Sequence, residues 1–360
     1  SPMPRPTKIS IDLAALAKNQ SVARGYAPGS KIVCCVKANA YGHGLVESAK
    51  QLSTGADALA VASLDEAKKL REAGIDLPIL LLGGIFTAGE LREVLDLNLW
   101  LVVHNERQLQ WLYESDTDPS TRLWIKVDSG MHRLGFAVDA AVEACEKLKS
   151  AGWQKMILMT HFACAEELDS DFTKTQLATF LQASRKVNIA ESLANSAAVI
   201  GWPETHKDWV RPGFMLYGVS PFGDDHPSAE KLEPVMTFES EVIAIRDIGA
   251  GESVGYNRCW IAERPSRIAI VAAGYGDGYP RNVKNGTPVL VDGQRAGVVG
   301  RVSMDLLSID VTDLVDVRIG SCVELWGKNL SVNEVAGFSG YSAYELLTRM
   351  PLRARREYLS

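Results

Sequence analysis

Lys37, Lys126, Arg133, His161, Ser196 and Arg211 share a placement: each stands on, or just beyond, an otherwise apolar run of the chain. A lysine such as Lys37, in Val36-Lys37-Ala38-Asn39-Ala40-Tyr41-Gly42-His43-Gly44, suits Schiff-base formation with an aldehyde. Taken alone, a lysine there is more often a surface cation whose stem covers apolar neighbours. Arg133 alone reads as a salt-bridge partner, and His161 as a histidine satisfied by backbone. Polar groups on apolar strands are costly when buried without partners, so a shared ligand accounts for the set economically.

The elements that must position them alternate up to about residue 218. The strand candidates are 31–38, 58–63, 78–84, 99–105, 122–130, 155–163, 192–198 and 209–218, separated by longer amphipathic stretches. Eight such units predict a (β/α)8 barrel of the TIM type, an α/β fold that gathers reactive groups at the C-terminal ends of its strands. On this reading Lys37 ends the first strand, Lys126 lies in the fifth with Arg133 beyond it, His161 ends the sixth, Ser196 is on the seventh and Arg211 in the eighth. Ser63 with Glu66 and Thr87 with Glu90 have capping-box spacing, and Gly74 and Gly152 follow helices as C-cap glycines. After Pro234 the pattern changes to alternating strands over 235–245, 267–272 and 289–299, with Asp292-Gly293 as a hairpin turn. Helical patterning nearly vanishes until 342–348. The expected division is a barrel over 12–231 and a C-terminal mostly β domain over 232–360, joined by an N-terminal strand at 7–11.

Composition narrows the partners. The 360 residues are 46% hydrophobic with net charge −6, which favours a small molecule over nucleic acid or an anionic membrane, despite the basic cluster Arg353, Arg355 and Arg356. The six cysteines are scattered with no C-x-x-C pair, arguing against a disulfide scaffold and a zinc site and for a reduced, cytoplasmic protein with no metal. The most apolar stretch, 77–86, is too short to span a bilayer. No signal peptide is expected, and Ser1-Pro2 before Met3 reads as an appended pair.

Beyond these local readings, Val36 to Gly44 resembles the pyridoxal-5′-phosphate (PLP) attachment motif of the bacterial alanine racemase family. The resemblance continues through Lys126-Val127-Asp128-Ser129-Gly130-Met131-His132-Arg133-Leu134-Gly135, Trp209-Val210-Arg211-Pro212-Gly213, Gly274-Tyr275-Gly276-Asp277-Gly278-Tyr279-Pro280 and Val299-Gly300-Arg301-Val302-Ser303-Met304-Asp305. It spans both expected domains in family order. It implies racemisation of L- and D-alanine by two bases, Lys37 and Tyr256, supplying D-alanine for peptidoglycan or serving alanine catabolism. It further implies that Lys37 links PLP, that Arg211 faces the pyridine nitrogen with His161 orienting it, and that Tyr41, Ser196 and the backbone near Gly213 hold the phosphate. Arg133 and Met304 would bind substrate, with Asp305, Tyr275 and Asn195 as weaker additions, and Lys126 would be carbamylated. A homodimer with shared active sites follows from the same resemblance. The chain departs from some family members near its C-terminus, where a phosphate-binding tyrosine is expected and Tyr344 is the one candidate. Competing classes are another PLP barrel enzyme with an attached β domain, such as a decarboxylase of basic amino acids or a broader racemase, a non-catalytic PLP carrier lacking a second domain, and a purely structural barrel.

Overall fold

The computed structural model describes residues 5–116 and 118–360, so the Ser1-Pro2 pair lies outside the described residues. Eight parallel strands, Lys31–Cys35, Ala58–Val61, Ile79–Leu81, Leu99–Val103, Leu123–Lys126, Met156–Met159, Ala190–Ser192 and Trp209–Val210, close into a barrel. Lys31 and Ile32 pair with Trp209 and Val210 to complete the ring. Most of the strands are continuous apolar runs because helices cover their outer faces while side chains fill the interior. Helix Leu13–Tyr26 is capped by Asp12, whose carboxylate accepts from the Ala15 amide, and Ser63 and Glu66 form a reciprocal capping box on Leu64–Glu72. The Thr87 and Glu90 pair is only half formed: Glu90 accepts from the Thr87 amide, but the helix starts later, with Gly89 as its N-cap and no side-chain cap.

At the N-terminal end of the barrel, Trp100, Trp124 and Trp209 form a floor with ring centroids 5.5 to 6.1 Å apart. The guanidinium of Arg122 lies over Trp100, and the Lys31 ammonium over Trp209. This end is a packed core, whereas the opposite end opens into a cavity.

Two strand expectations are corrected. The seventh strand ends at Ser192 rather than continuing to Ala198, because the Asn195 side chain accepts from the Ala198 amide and starts helix Ser196–Gly201. Ser196 therefore lies on a helix. The eighth strand stops at Val210, since Pro212 has no N–H to continue a ladder, and Phe214–Tyr217 turns into a 3-10 helix.

The second region is an eight-stranded, mostly antiparallel sheet in the order Ser266–Val271, Leu307–Asp310, Gln294–Val298, Pro288–Val291, Cys322–Trp326, Met236–Ile248, Lys8–Asp12, Arg355–Leu359. Asp292 and Gly293 turn its hairpin at φ +47° and +82°, the left-handed pair that a two-residue turn requires. Lys8–Ile11 runs antiparallel to Met236–Glu239 and parallel to the last strand. Two short helices, Val332–Gly337 and Ala343–Thr348, interrupt the β pattern. The basic cluster is consumed internally: Arg353 pairs with Asp277 and Asp305, Arg355 with Glu357, and Arg356 donates to the carbonyls of Gly42 and Met350.

Candidate active site

A cavity of about 500 Å³ opens at the C-terminal ends of the strands, lined among others by Lys37, Tyr41, Lys126, Arg133, His161, Ser196, Arg211 and Gly213. Lys37 sits two residues beyond the first strand. The backbone that follows is exceptional: Ala38, Asn39, Ala40 and Tyr41 all have φ between +52° and +55°, a left-handed turn that costs roughly 1–2 kcal/mol for each L-residue. The turn is held by the Asn39 side chain, which accepts from the Leu45 amide, and by the buried His43, whose Nδ1 lies 3.1 and 2.9 Å from the Ala40 and Tyr41 carbonyls. A Cβ on Gly42 would overlap the Leu347 carbonyl. The result sends Tyr41 back into the cavity beneath Tyr217, their centroids 4.9 Å apart.

Across the cavity, Ser196 Oγ accepts from the amides of Gly213 and Met215 at 3.0 and 3.1 Å. A Cβ at Gly213 would overlap the Tyr41 hydroxyl, so only glycine leaves this cradle open. Arg211 is buried and donates to Ser192 Oγ at 2.5 Å and to the Thr160 carbonyl at 2.6 Å. Those two groups, not His161, are its hydrogen-bond partners. His161 is a neighbour in the same cationic field: burial, then Arg211, Lys126, Arg133 and Lys37, hold its imidazole well below its ordinary range, and hence neutral.

Charge is the main feature of the lining. Lys37, Lys126, Arg133 and Arg211 face one carboxylate, Glu166. Burial and then the charges of Arg211, Arg133 and Lys37 bring the Lys126 amine down to about 8, and burial lowers Arg211 to about 10. Such a cavity is built for anions, and it offers an amine, hydroxyls and guanidinium groups to them. Arg133 stands on a loop folded back by Asp128, whose carboxylate accepts from the Gly130 and His132 amides. Among the described residues, no group of three or more histidine, cysteine or acidic side chains is arranged to hold a metal ion.

Two expected site residues lie elsewhere in the single chain. Tyr256 is 70% exposed on a 3-10 turn of the β region and Met304 is 53% exposed on a neighbouring loop. The Met304 carbonyl accepts from the Gly276 amide and the Ser303 carbonyl from that of Tyr275, so Tyr275 and Met304 are held together. Asp277 secures that junction, accepting from the Gly274 amide and pairing with Arg5 and Arg353. Tyr344 does reach the cavity, stacked on Phe214 at 3.4 Å. Cys35 also lines the cavity, while Thr160 and Ser192 support Arg211, and sequence reasoning missed all three. Their one signal was position beside strand ends.

Residues 11–221 match the family model described as alanine racemase, N-terminal domain, and residues 235–358 match that of the C-terminal domain. The chain belongs to the alanine racemase family. It is 47% identical to the alanine racemase of Pseudomonas taetrolens, with 99% of each chain covered. It is also 47% identical to a relative described as alanine racemase, catabolic, from Pseudomonas aeruginosa, over 96% of this chain and 97% of the relative. The crystal structure of biosynthetic alanine racemase from the same species superposes with a TM-score of 0.95 at 44% identity, covering 99% of this chain and 100% of that one. Family membership makes the chain an isomerase. Catabolic and biosynthetic relatives are almost equally similar, at 47% and 44% identity.

Proposed function

We propose that the chain interconverts L- and D-alanine with PLP, using Lys37 and Tyr256 as opposed proton carriers. The observation that carries this reading is the cavity in which four cations face a single carboxylate around a lysine at a barrel-strand end. The donor set fits the cofactor. Lys37 would link its aldehyde, Tyr41, Ser196 and the open cradle at Gly213 would hold its phosphate, and Arg211 would donate to its ring nitrogen. When bound, PLP supplies an electron sink that acidifies the substrate Cα–H.

The remaining work belongs to the chain. Arg133 would hold the substrate carboxylate by charge-assisted hydrogen bonds, with Met304 walling the space beside its side chain. The Lys37 amine would take or return the Cα proton on one face for D-alanine, and Tyr256 on the other for L-alanine. Arg211 only donates, so it would keep the ring nitrogen of a bound cofactor unprotonated and restrain competing reactions. The depressed Lys126 leaves more of its amine neutral at pH 7 to 8 than an ordinary lysine, and only the neutral form adds carbon dioxide. A carbamate there would accept from Arg133 and relieve the crowding of positive charge.

Exposure of Tyr256 and Met304 is the reason for proposing a homodimer whose β regions complete each other's barrel mouths. The domains are assigned as 12–231 and 232–360, the latter joined by the N-terminal strand. Six free cysteines suit a cytoplasmic setting, with D-alanine serving peptidoglycan synthesis or alanine breakdown. No helix among the described residues is long and apolar enough to cross a membrane.

Purified protein supplied with PLP and L-alanine is expected to form D-alanine without releasing carbon dioxide, and borohydride reduction followed by peptide mapping should label Lys37. Carbon dioxide release would point to the decarboxylase class. A label on Lys31 or Lys126 would overturn the lysine assignment.

A further inference from the structure

We infer that Gln176 is a positioning residue for carboxylate recognition, an inference that rests on the reading of Arg133 above. Gln176 lies on helix Phe172–Val187, outside the barrel, and is completely buried. Its amide nitrogen donates to Ser129 Oγ at 3.1 Å and to the His161 carbonyl at 3.0 Å, while its amide oxygen accepts from the Ala163 amide at 3.0 Å. Every one of these contacts is to a loop that builds the cavity, one after the fifth strand and one after the sixth.

The network has a fixed sense. The Thr160 hydroxyl donates to the Val127 carbonyl at 2.8 Å, so Ser129 must donate to Thr160 across their 2.7 Å contact. Ser129 Oγ is then free to accept from Gln176. Reversing the Gln176 amide would set its NH2 against the Ala163 N–H and its oxygen against the His161 carbonyl, so one orientation satisfies all partners. From Gln176 the chain of hydrogen bonds passes through Ser129 to Thr160, whose carbonyl accepts from Arg211.

Packing supports the same role. Gly130 has φ +144°, and a Cβ there would approach the Phe172 ring and Gln176 Cγ at 3.1 and 3.3 Å. The Arg133 loop is thus laid directly on this helix. Arg133 itself is an exposed residue at the cavity, so its direction depends on how rigidly residues 128 to 135 are seated. Gln176 seats them against the sixth-strand loop from behind without touching substrate or cofactor.

Because Arg133 binds the carboxylate in the substrate and in the transition state alike, loosening its loop should raise KM more than it lowers kcat. Gln176→Leu, which keeps the volume and removes the donors and acceptor, is expected to raise KM for alanine about tenfold with kcat changed less than about twofold. The absorbance of the Lys37-linked cofactor should stay as in the unaltered enzyme. Ser129→Ala removes the contacts of Ser129 with Gln176 and Thr160 but leaves Gln176 tied to His161 and Ala163, and it should raise KM by a smaller factor, about threefold. KM unchanged in Gln176→Leu, or in Ser129→Ala should the first variant not fold, overturns the inference. So does an equal fall in kcat and in cofactor absorbance, which marks general damage. Lack of racemisation by the unaltered protein would instead strike the functional reading on which the inference rests.

Discussion

The barrel mouth and the exposed rim of the β region carry candidate site residues in opposite states. At the mouth, Lys37, Lys126 and Arg211 are brought together by strand ends and supported by buried partners, as Ser192 and Thr160 support Arg211. On the rim, Tyr256 and Met304 face solvent, although the loop beneath Met304 is fastened by Asp277, Arg5 and Arg353. A rigidly held surface with exposed functional groups is organised toward something outside the chain. In the proposed homodimer, the mouth would supply the cofactor half of a site, and the rim would supply the other half to a second copy.

The largest effects should separate the two halves. Lys37→Ala should abolish cofactor linkage and lower activity by at least about a thousandfold, whereas Tyr256→Phe should lower activity by about 10²–10⁴ with cofactor absorbance retained. Mixing the two variants sharpens the contrast. Random pairing makes about half the dimers mixed, each with one intact site, so activity should recover to roughly a quarter of wild type. Confirmed mixing without recovery would break the shared-site comparison.

An intermediate effect should be confined to the mouth. Removing carbon dioxide is expected to lower activity about three- to tenfold through a higher KM for alanine, as Arg133 loses an acceptor at Lys126. Bicarbonate should restore it. Intact mass showing an unmodified amine, with activity indifferent to carbon dioxide, would remove carbamylation from the account.

The smallest effect on turnover concerns the strained segment beside Lys37. Burial lowers His43 to about 4 from an ordinary 6.5. Between those values the unfolded chain binds the proton that the folded chain refuses, so stability is complete above pH 6.5 and is lost as pH falls toward 4. The shift corresponds to roughly 3 kcal/mol. Melting curves should show His43→Phe less sensitive to acid than wild type across that window, with activity at neutral pH lowered far less than in Lys37→Ala or Tyr256→Phe; equal acid sensitivity would exclude His43 as the cause.

The barrel was legible because eight apolar runs alternate with capped amphipathic stretches, and the cavity because the motif residues follow those runs. Strand ends were not. In 192–198 and 209–218 apolar residues continue past the sheet, and only the Asn195 cap and Pro212 divide strand from turn. The left-handed turn at 38–41 was invisible for a related reason: Ala and Tyr rarely adopt positive φ, and the side-chain hydrogen bonds of Asn39 and His43, with the close fit of Gly42 against Leu347, override that preference. Gln176, on an amphipathic helix, had no local mark of its role, since its partners lie 13 to 47 residues away.

Lys8–Asp12 lies in the sheet between Met236–Ile248 and Arg355–Leu359.

 
A ribosome releases this strand before the barrel, its neighbour Met236–Ile248 only after the barrel, and its neighbour Arg355–Leu359 later still. At about 5–20 residues per second, more than two hundred residues must follow before Met236 emerges, on the order of ten to forty seconds. Throughout that wait Ile9 and Ile11, fully buried in the finished sheet, have no sheet partner, while the barrel strands between can already close. The order of synthesis therefore runs opposite to the order of assembly for this one strand. A chain interrupted before its last strands would carry a closed barrel with an unpaired apolar edge, a form suited to capture by chaperones or to aggregation rather than to slow accumulation as a half-enzyme.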